Sequence, residues 1–195
     1  MIKEGDFLKR CKWCDGSENY VKYHDSEWGV QRFDDAYLFE MLLLESFQAG
    51  LSWKCVLDKR EGFRCAFDNF DSHIIELYDD EKKAALANDK SIVRNKRKIE
   101  STVTNARIFN RIVIEYGSFI NYLKCFWDGK TVYENERVSS ELSDAISNDL
   151  YKRGMRFVGS VIIYSYLQAV GIIYSHENDC FLYKGDRDEN RKVDK

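Results

Sequence analysis

The sequence predicts an all-α fold. Apolar residues recur at three- and four-residue steps over long stretches, capping residues stand ahead of several of these stretches, and strand-like runs are few. The first ~30 residues, dense in Cys, Trp, Tyr and Gly, read as an irregular, tied-down segment. Asp34 or Asp35 caps a helix over 36–49, with Leu38, Met41, Leu42 and Ala49 in helical period. A second helix is expected over 53–60, and short ones over 72–78 and 80–88. Residues 89–95 form a break. A long helix then runs from Arg94 to Tyr116, carrying Ile99, Val103, Ala106, Phe109 and Val113 on one face. The 118–127 stretch reads as helical and Asp128-Gly129 turns the chain. An amphipathic helix over 140–152 stops at Gly154. An apolar helix over 159–170 closes at Gly171, a glycine C-cap.

The 195 residues suit one domain with a sizeable core. The composition is that of a water-soluble chain, with 44% hydrophobic and 32% charged residues. Aromatics reach 14%, and because buried Tyr and Trp need polar partners, some of these rings are expected to line a site. No apolar run approaches the ~18 residues of a membrane span. The polar opening of the chain does not read as a secretory leader. A reducing, cytoplasmic compartment follows, in which the 6 Cys are thiols or metal ligands rather than disulfides. The net charge of −3 weighs mildly against nucleic acid as a partner, because phosphate contacts supply most non-specific affinity. No Pro interrupts the helices.

Two constellations carry chemistry. Cys11 and His24 near one end, with His176 and Cys180 near the other, offer the four N/S ligands of a structural zinc site. Such a site would clip the N-terminal segment to the C-terminal one. Cys11 with Cys14 forms a competing C-x2-C set, and scattered buried thiols with surface histidines are the simpler reading. His73 reads as a surface residue, and Cys55, Cys65 and Cys125 as core. The second constellation centres on Glu45, which follows Met41 by four residues and Leu38 by seven and so shares their inward face. It is either paired with a buried Arg, or free to receive a flat cation among Tyr20, Tyr23, Trp28 and Trp53. Around residue 94, Arg94, Lys96, Arg97 and Lys98 form a basic cluster, which is either a DNA contact or a solvated helical face. Lys152-Arg153 is a second such pair.

Several of these segments together resemble the DNA-3-methyladenine glycosylase I family, within the helix-hairpin-helix glycosylases. They are Cys11-x-Trp13, Tyr20, Tyr23-His24-Asp25-x-Glu27-Trp28-Gly29-Val30 and Leu38-Phe39-Glu40-Met41. Leu44-Glu45-x-x-Gln48-Ala49-Gly50-Leu51-Ser52-Trp53, Ile92-Val93-Arg94-x-x-x-Lys98-Ile99 and Asn105-Ala106 continue the pattern. It closes with Lys152-Arg153-Gly154-x-x-Phe157-Val158-Gly159 and His176-x-x-x-Cys180. The resemblance covers roughly 10–180. It implies a helix-hairpin-helix bundle with a zinc-stapled terminal subdomain, acting as a monomer on alkylated double-stranded DNA and releasing 3-methyladenine. It implies one domain over 1–181, with segment 1–33 clipped to 172–181 and the helix-hairpin-helix at 81–116. It further implies zinc on Cys11, His24, His176 and Cys180, hydrogen bonds to the extruded base from Glu45 and Tyr23, and stacking by Trp53. Trp13, Tyr20 and Trp28 match other pocket positions, and Gly50-Leu51 the loop that enters the duplex. Ser91, Ile92, Arg94 and Lys98 match the hairpin's DNA-binding region. Ser91 departs from the Gly or Asn usual at a turn that favours positive φ, and the charged tail over 182–195, without family likeness, reads as disordered. A zinc-stapled nucleic-acid-binding module without catalysis would leave Glu45 without a task. A helical interaction protein would bind neither metal nor DNA.

Overall fold

The computed structural model describes residues 8–14 and 16–184. The fold is helical. Helices α1 (Glu18–Ser26), α2 (Asp35–Gln48), α3 (Trp53–Leu57), α4 (Arg60–Ala66) and α5 (Ser72–Ile75) come first, with a 3-10 turn at Asp68–Phe70 before α5. They are followed by α6 (Asp80–Asn88), α7 (Lys96–Tyr116), α8 (Phe119–Leu123), α9 (Glu141–Lys152) and α10 (Ser160–Ala169). Two short strands, β1 (Val132–Tyr133) and β2 (Ile173–Tyr174), pair in parallel.

Helix α2 is the axis of the molecule. Asp34 caps it by accepting from the Tyr37 amide, and every residue from Tyr37 to Phe47 is buried. Helix α10 and α7 pack against it from different sides. Glu45 is therefore inside whichever face it occupies, and its burial does not depend on the amphipathic stripe expected for this segment. Helix α7 presents Ile99, Val103, Ala106 and Phe109 to the core, as its spacing predicts. Helix α10 ends where Gly171 takes a φ of +77°. A Cβ at Gly171 would stand 2.5 Å from the backbone of Val30 and Gln31, so this turn is packed directly against the entry to α2.

Several expectations need correction. The N-terminal segment is not irregular throughout: α1 forms there and carries Tyr20, Tyr23 and His24 on its buried side. The helix expected over 53–60 is two, because the chain breaks at Asp58 and Lys59 and restarts as α4. The 118–127 and 72–78 helices are shorter than expected. Cys65 and Cys125 are exposed rather than core, whereas His73 is at the surface as expected. Of the tail read as disordered, 185–195 lies outside the described residues.

Candidate base pocket and metal-ligand cluster

The pocket is built by three consecutive pieces of chain. Helix α1 supplies Tyr20 and Tyr23, α2 supplies Glu45 and Gln48, and the first residue of α3 supplies Trp53. Ser52 caps α3 by accepting from the Cys55 amide, which sets Trp53 at the helix start and turns its indole back over α2's end. With Trp13 and Trp28, these residues line a cavity of about 640 Å³. Trp13 meets Trp28 at 4.9 Å and Tyr20 at 5.3 Å edge to face, and Tyr23 meets Trp53 at 5.3 Å in a tilted pair with 47° between planes.

Glu45 is 2% exposed, and one of its carboxyl oxygens has no hydrogen-bond partner among the described residues. Burial pushes its carboxyl well above the usual range, with no cation at hand to offset it. Burial, and then the Glu45 charge, likewise raises the Tyr23 hydroxyl, which stays a phenol. The contrast with Glu40, five residues earlier on the same helix, is informative. Glu40 accepts from Arg60 and Arg64 at 2.8 Å each, and Arg60 also donates to Glu27 at 2.8 Å. This protein neutralises one buried glutamate with arginines and leaves the other facing aromatic rings. Sequence reasoning passed over this network and over Gln48, whose buried side-chain oxygen also lacks a partner, as does the Trp53 indole N–H. The signal for Gln48 was its position three residues after Glu45, hence one helical turn away.

Behind the pocket, Cys11, His24, His176 and Cys180 converge, all buried, with their ligand atoms within 4.8 Å of one another. The sulfur of Cys180 stands 3.4 Å from His24 Nε2 and 3.5 Å from His176 Nδ1, and the Cys11 sulfur 3.6 Å from His176 Nδ1. Cys14 is outside this group, so the competing C-x2-C set is not what the fold assembles. His24 Nδ1 lies 2.7 Å from Asp25, which Arg10 grips through both Nε and Nη2. The backbone amides of Glu177 and Leu182 point at the two sulfurs, at 3.3 Å and 3.5 Å. Trp28 joins the two constellations, with its ring 4.7 Å from that of His176 and also lining the cavity.

The turn after α2 projects from the same helix end. Gly50 takes a φ of +79°, and Leu51 is 42% exposed. The α6–α7 hairpin stands beside it. Ser91 does not adopt a positive φ there; its amide and hydroxyl both donate to Asp89, at 2.7 Å and 2.6 Å. Ile92 is 2% exposed and anchors the hairpin to the core, whereas Arg94, Lys96 and Arg97 face solvent. A phosphate contact does not fit Lys98, which is 4% exposed and donates to the carbonyls of Phe47 and Ala49. Nor is Arg153 free for one: it is bound to Asp149, Glu115 and Tyr116.

A helical scaffold thus closes an aromatic, carboxyl-bearing cavity beside an exposed turn and a helical hairpin. The comparisons are specific about its kind. Residues 13–183 match the methyladenine glycosylase family, and the chain belongs to that family. It is 37% identical to the DNA-3-methyladenine glycosylase 1 of Escherichia coli (strain K12), over 92% of this chain and all of that one. A solved structure of 3-methyladenine DNA glycosylase I superposes with a TM-score of 0.86 at 38% identity, covering 90% of this chain and all of the other. A second, from Staphylococcus aureus and described as the structural basis of 3-methyladenine recognition, superposes at 0.84 with 30% identity, covering 89% of this chain and 95% of that one.

Proposed function

We propose that this protein is a base-excision-repair DNA glycosylase that hydrolyses the N-glycosidic bond of 3-methyladenine in alkylated double-stranded DNA. The observation that carries the reading is the buried carboxyl of Glu45, one oxygen of which has no partner among the described residues, facing a cavity walled by Tyr23, Trp53, Trp13, Tyr20 and Trp28. N3-methylated adenine is cationic while bonded to its sugar. Its departure takes the C1′–N9 electron pair into the ring and neutralises it, and water adds at C1′ with loss of a proton. The leaving group needs no general acid, so the protein's work is to extract the base, hold it and favour the positive charge developing on the sugar. Ionised Glu45 accepts from the exocyclic amino group, Tyr23 adds a hydrogen bond, and Trp53 stacks on the cation, a preference of about 0.5–2 kcal/mol over a neutral base. Unmodified adenine brings no charge to offset the burial of a carboxylate, which supports discrimination by electronics as well as shape.

Gly50 and Leu51 fit the role of filling the gap left in the duplex. The Ser91–Arg94 hairpin, with the N-terminus of α7 beyond it, fits a backbone phosphate, Arg94 supplying the charge.

The Cys11, His24, His176 and Cys180 cluster suits a structural zinc ion. Zinc bonds of about 2.3 Å to sulfur and about 2.0 Å to nitrogen set tetrahedral S···N separations of about 3.5 Å, against the 3.4–3.6 Å observed. Burial above all pushes His176 down to about 4, which favours the neutral imidazole that a ligand must be. The Asp25 carboxylate behind His24 is the partner a ligating histidine uses to fix its ring. Four protein ligands leave the metal no open position, so its contribution is to hold α1, and with it Tyr23, in place. In this reading the chain works as a single domain and a monomer in the cytoplasm; among the described residues no helix is long and apolar enough to cross a membrane.

The test is chromatography of the bases released from methylated duplex DNA, with Glu45→Gln as control. Free 3-methyladenine is expected from the parent protein and at least 100-fold less from the variant, the loss typical of removing one transition-state contact. Equal release by both would remove Glu45 from the mechanism.

A further inference from the structure

We infer that Lys98 is a positioning residue that sets the duplex-entering turn from the helical hairpin. This rests on the reading of Gly50-Leu51 as the segment that fills the vacated gap. Three observations converge on Lys98. Its ammonium is buried, and it bridges two elements: it belongs to the first turn of α7, the second helix of the hairpin, yet donates to Phe47 O at 2.7 Å and Ala49 O at 2.6 Å at the end of α2. These carbonyls belong to the C-terminus of a helix, where the backbone dipole favours a cation and where carbonyls lack partners of their own. Next, the residues that follow are the exposed turn itself. Ala49 leaves the helix with ψ of 112°, Gly50 takes φ of +79°, and the Leu51 amide closes the turn onto Gln48 O at 2.6 Å. Finally, Phe157 covers the ammonium from outside at 5.5 Å and does so with φ of 56°. A bulky side chain in the left-handed region costs energy that the surroundings must hold. Here the Asn105 side chain, one pair of turns further along α7, holds the Arg156 backbone at both N–H and C=O, at 2.9 Å each.

The arrangement makes α7 a strut. A phosphate held at the hairpin and a leucine inserted into the stack are kept at one spacing by a single charge-assisted contact. The same contact fastens the end of the helix that carries Glu45. Among the described residues no carboxylate pairs with this ammonium, and burial lowers its affinity for a proton. Two carbonyls are its compensation, so its removal releases them together.

The experiment compares affinity for a duplex carrying a tetrahydrofuran abasic-site analogue with affinity for the undamaged duplex. Parent, Lys98→Met, Leu51→Ala and the double variant are measured at one salt concentration. Lys98→Met is expected to reduce the abasic preference five- to tenfold while binding of free 3-methyladenine changes less than twofold. In the Leu51→Ala background it is expected to cost nothing more. An unchanged preference in Lys98→Met, or the same loss with and without Leu51, overturns the inference, because a purely structural lysine would act independently of the turn. If Leu51→Ala alone leaves the preference intact, the reading of Gly50-Leu51 fails first and Lys98 falls with it. Where Lys98→Met does not fold, Lys98→Gln, which keeps N–H donors but loses the charge, is read in the same way.

Discussion

At the scale of single residues, the pH behaviour of Glu45 separates its two roles. Burial raises its carboxyl in the folded protein, so the folded state holds this proton more tightly than the unfolded chain does, where the carboxyl titrates near 4.3. The linkage sign follows: between the unfolded value and the raised folded one, stability falls as pH rises. Glu45→Gln removes that loss, so the variant is expected to melt above the parent at neutral pH and to converge with it at and below about pH 4. Thermal melts across pH measure this, and a variant less stable than the parent throughout would contradict it. Activity runs the other way, because the cationic base is received by the ionised form. The parent's kcat/KM on methylated DNA is expected to rise with pH through the raised Glu45 value, and this limb is absent in Glu45→Gln. Residue-scale legibility was uneven. Glu45 could be found because a carboxylate among apolar periodic neighbours is costly and its flanking motif is specific. Lys98 could not, since a lysine beside Arg94, Lys96 and Arg97 has the look of a solvated basic face, and only packing reveals that it alone turns inward. Gln48 was in plain view at a helical turn from Glu45, but an amide carries no charge penalty to draw attention to it.

At the scale of elements, the hairpin's position is set by contact with α4. A Cβ on Gly62 would come within 2.5 Å of Ser91 O, a backbone atom that cannot swing aside. Gly62→Ala is therefore expected to displace the hairpin, costing about 1–3 kcal/mol of stability as overpacking does and weakening binding to undamaged duplex, with free-base binding preserved. Denaturation and duplex titration measure the two effects; an unshifted melting temperature would show that α4 and the hairpin are not in contact. Helix α1 offers the complementary test. His24→Ala removes a member of the Cys/His cluster from the helix that also carries Tyr23 and is expected to weaken 3-methyladenine binding as well as stability; a folded variant with unchanged affinity would disconnect the two. The long helices could be read from sequence because α2, α7, α9 and α10 each have a capping residue and several turns of apolar period. Helix α1 escaped because its buried residues are Tyr20, Tyr23 and His24, whose polar tips disguise the inward face, and because cysteines and glycine nearby suggested a loop. Ser91 departs from the Gly or Asn usual at this turn. Its φ is not positive, and its amide and hydroxyl both donate to Asp89, the second bond being one that a glycine could not make.

At the scale of the whole molecule, the two ends of the described chain meet behind the pocket. Metal analysis of purified protein is expected to return one zinc per chain, and its removal by a chelator under mildly denaturing conditions to lower the melting temperature by several degrees and weaken base binding together. Retention of both after complete removal would make the cluster a set of buried thiols and imidazoles. That Cys11, His24, His176 and Cys180 come together was legible from spacing and likeness, whereas the parallel pairing of β1 with β2 was not, since two-residue strands leave no alternation to detect. The meeting of the ends has a further consequence. The Lys9 ammonium pairs with Asp179, the Phe181 amide donates to Lys9 O, and the Cys/His cluster lies just inside them, so the described chain forms a closed ring with its seam under the base receptor. Traction on the two described ends would load the Lys9–Asp179 pair and the Cys/His cluster first, and through the Trp28–His176 ring contact the wall of the cavity.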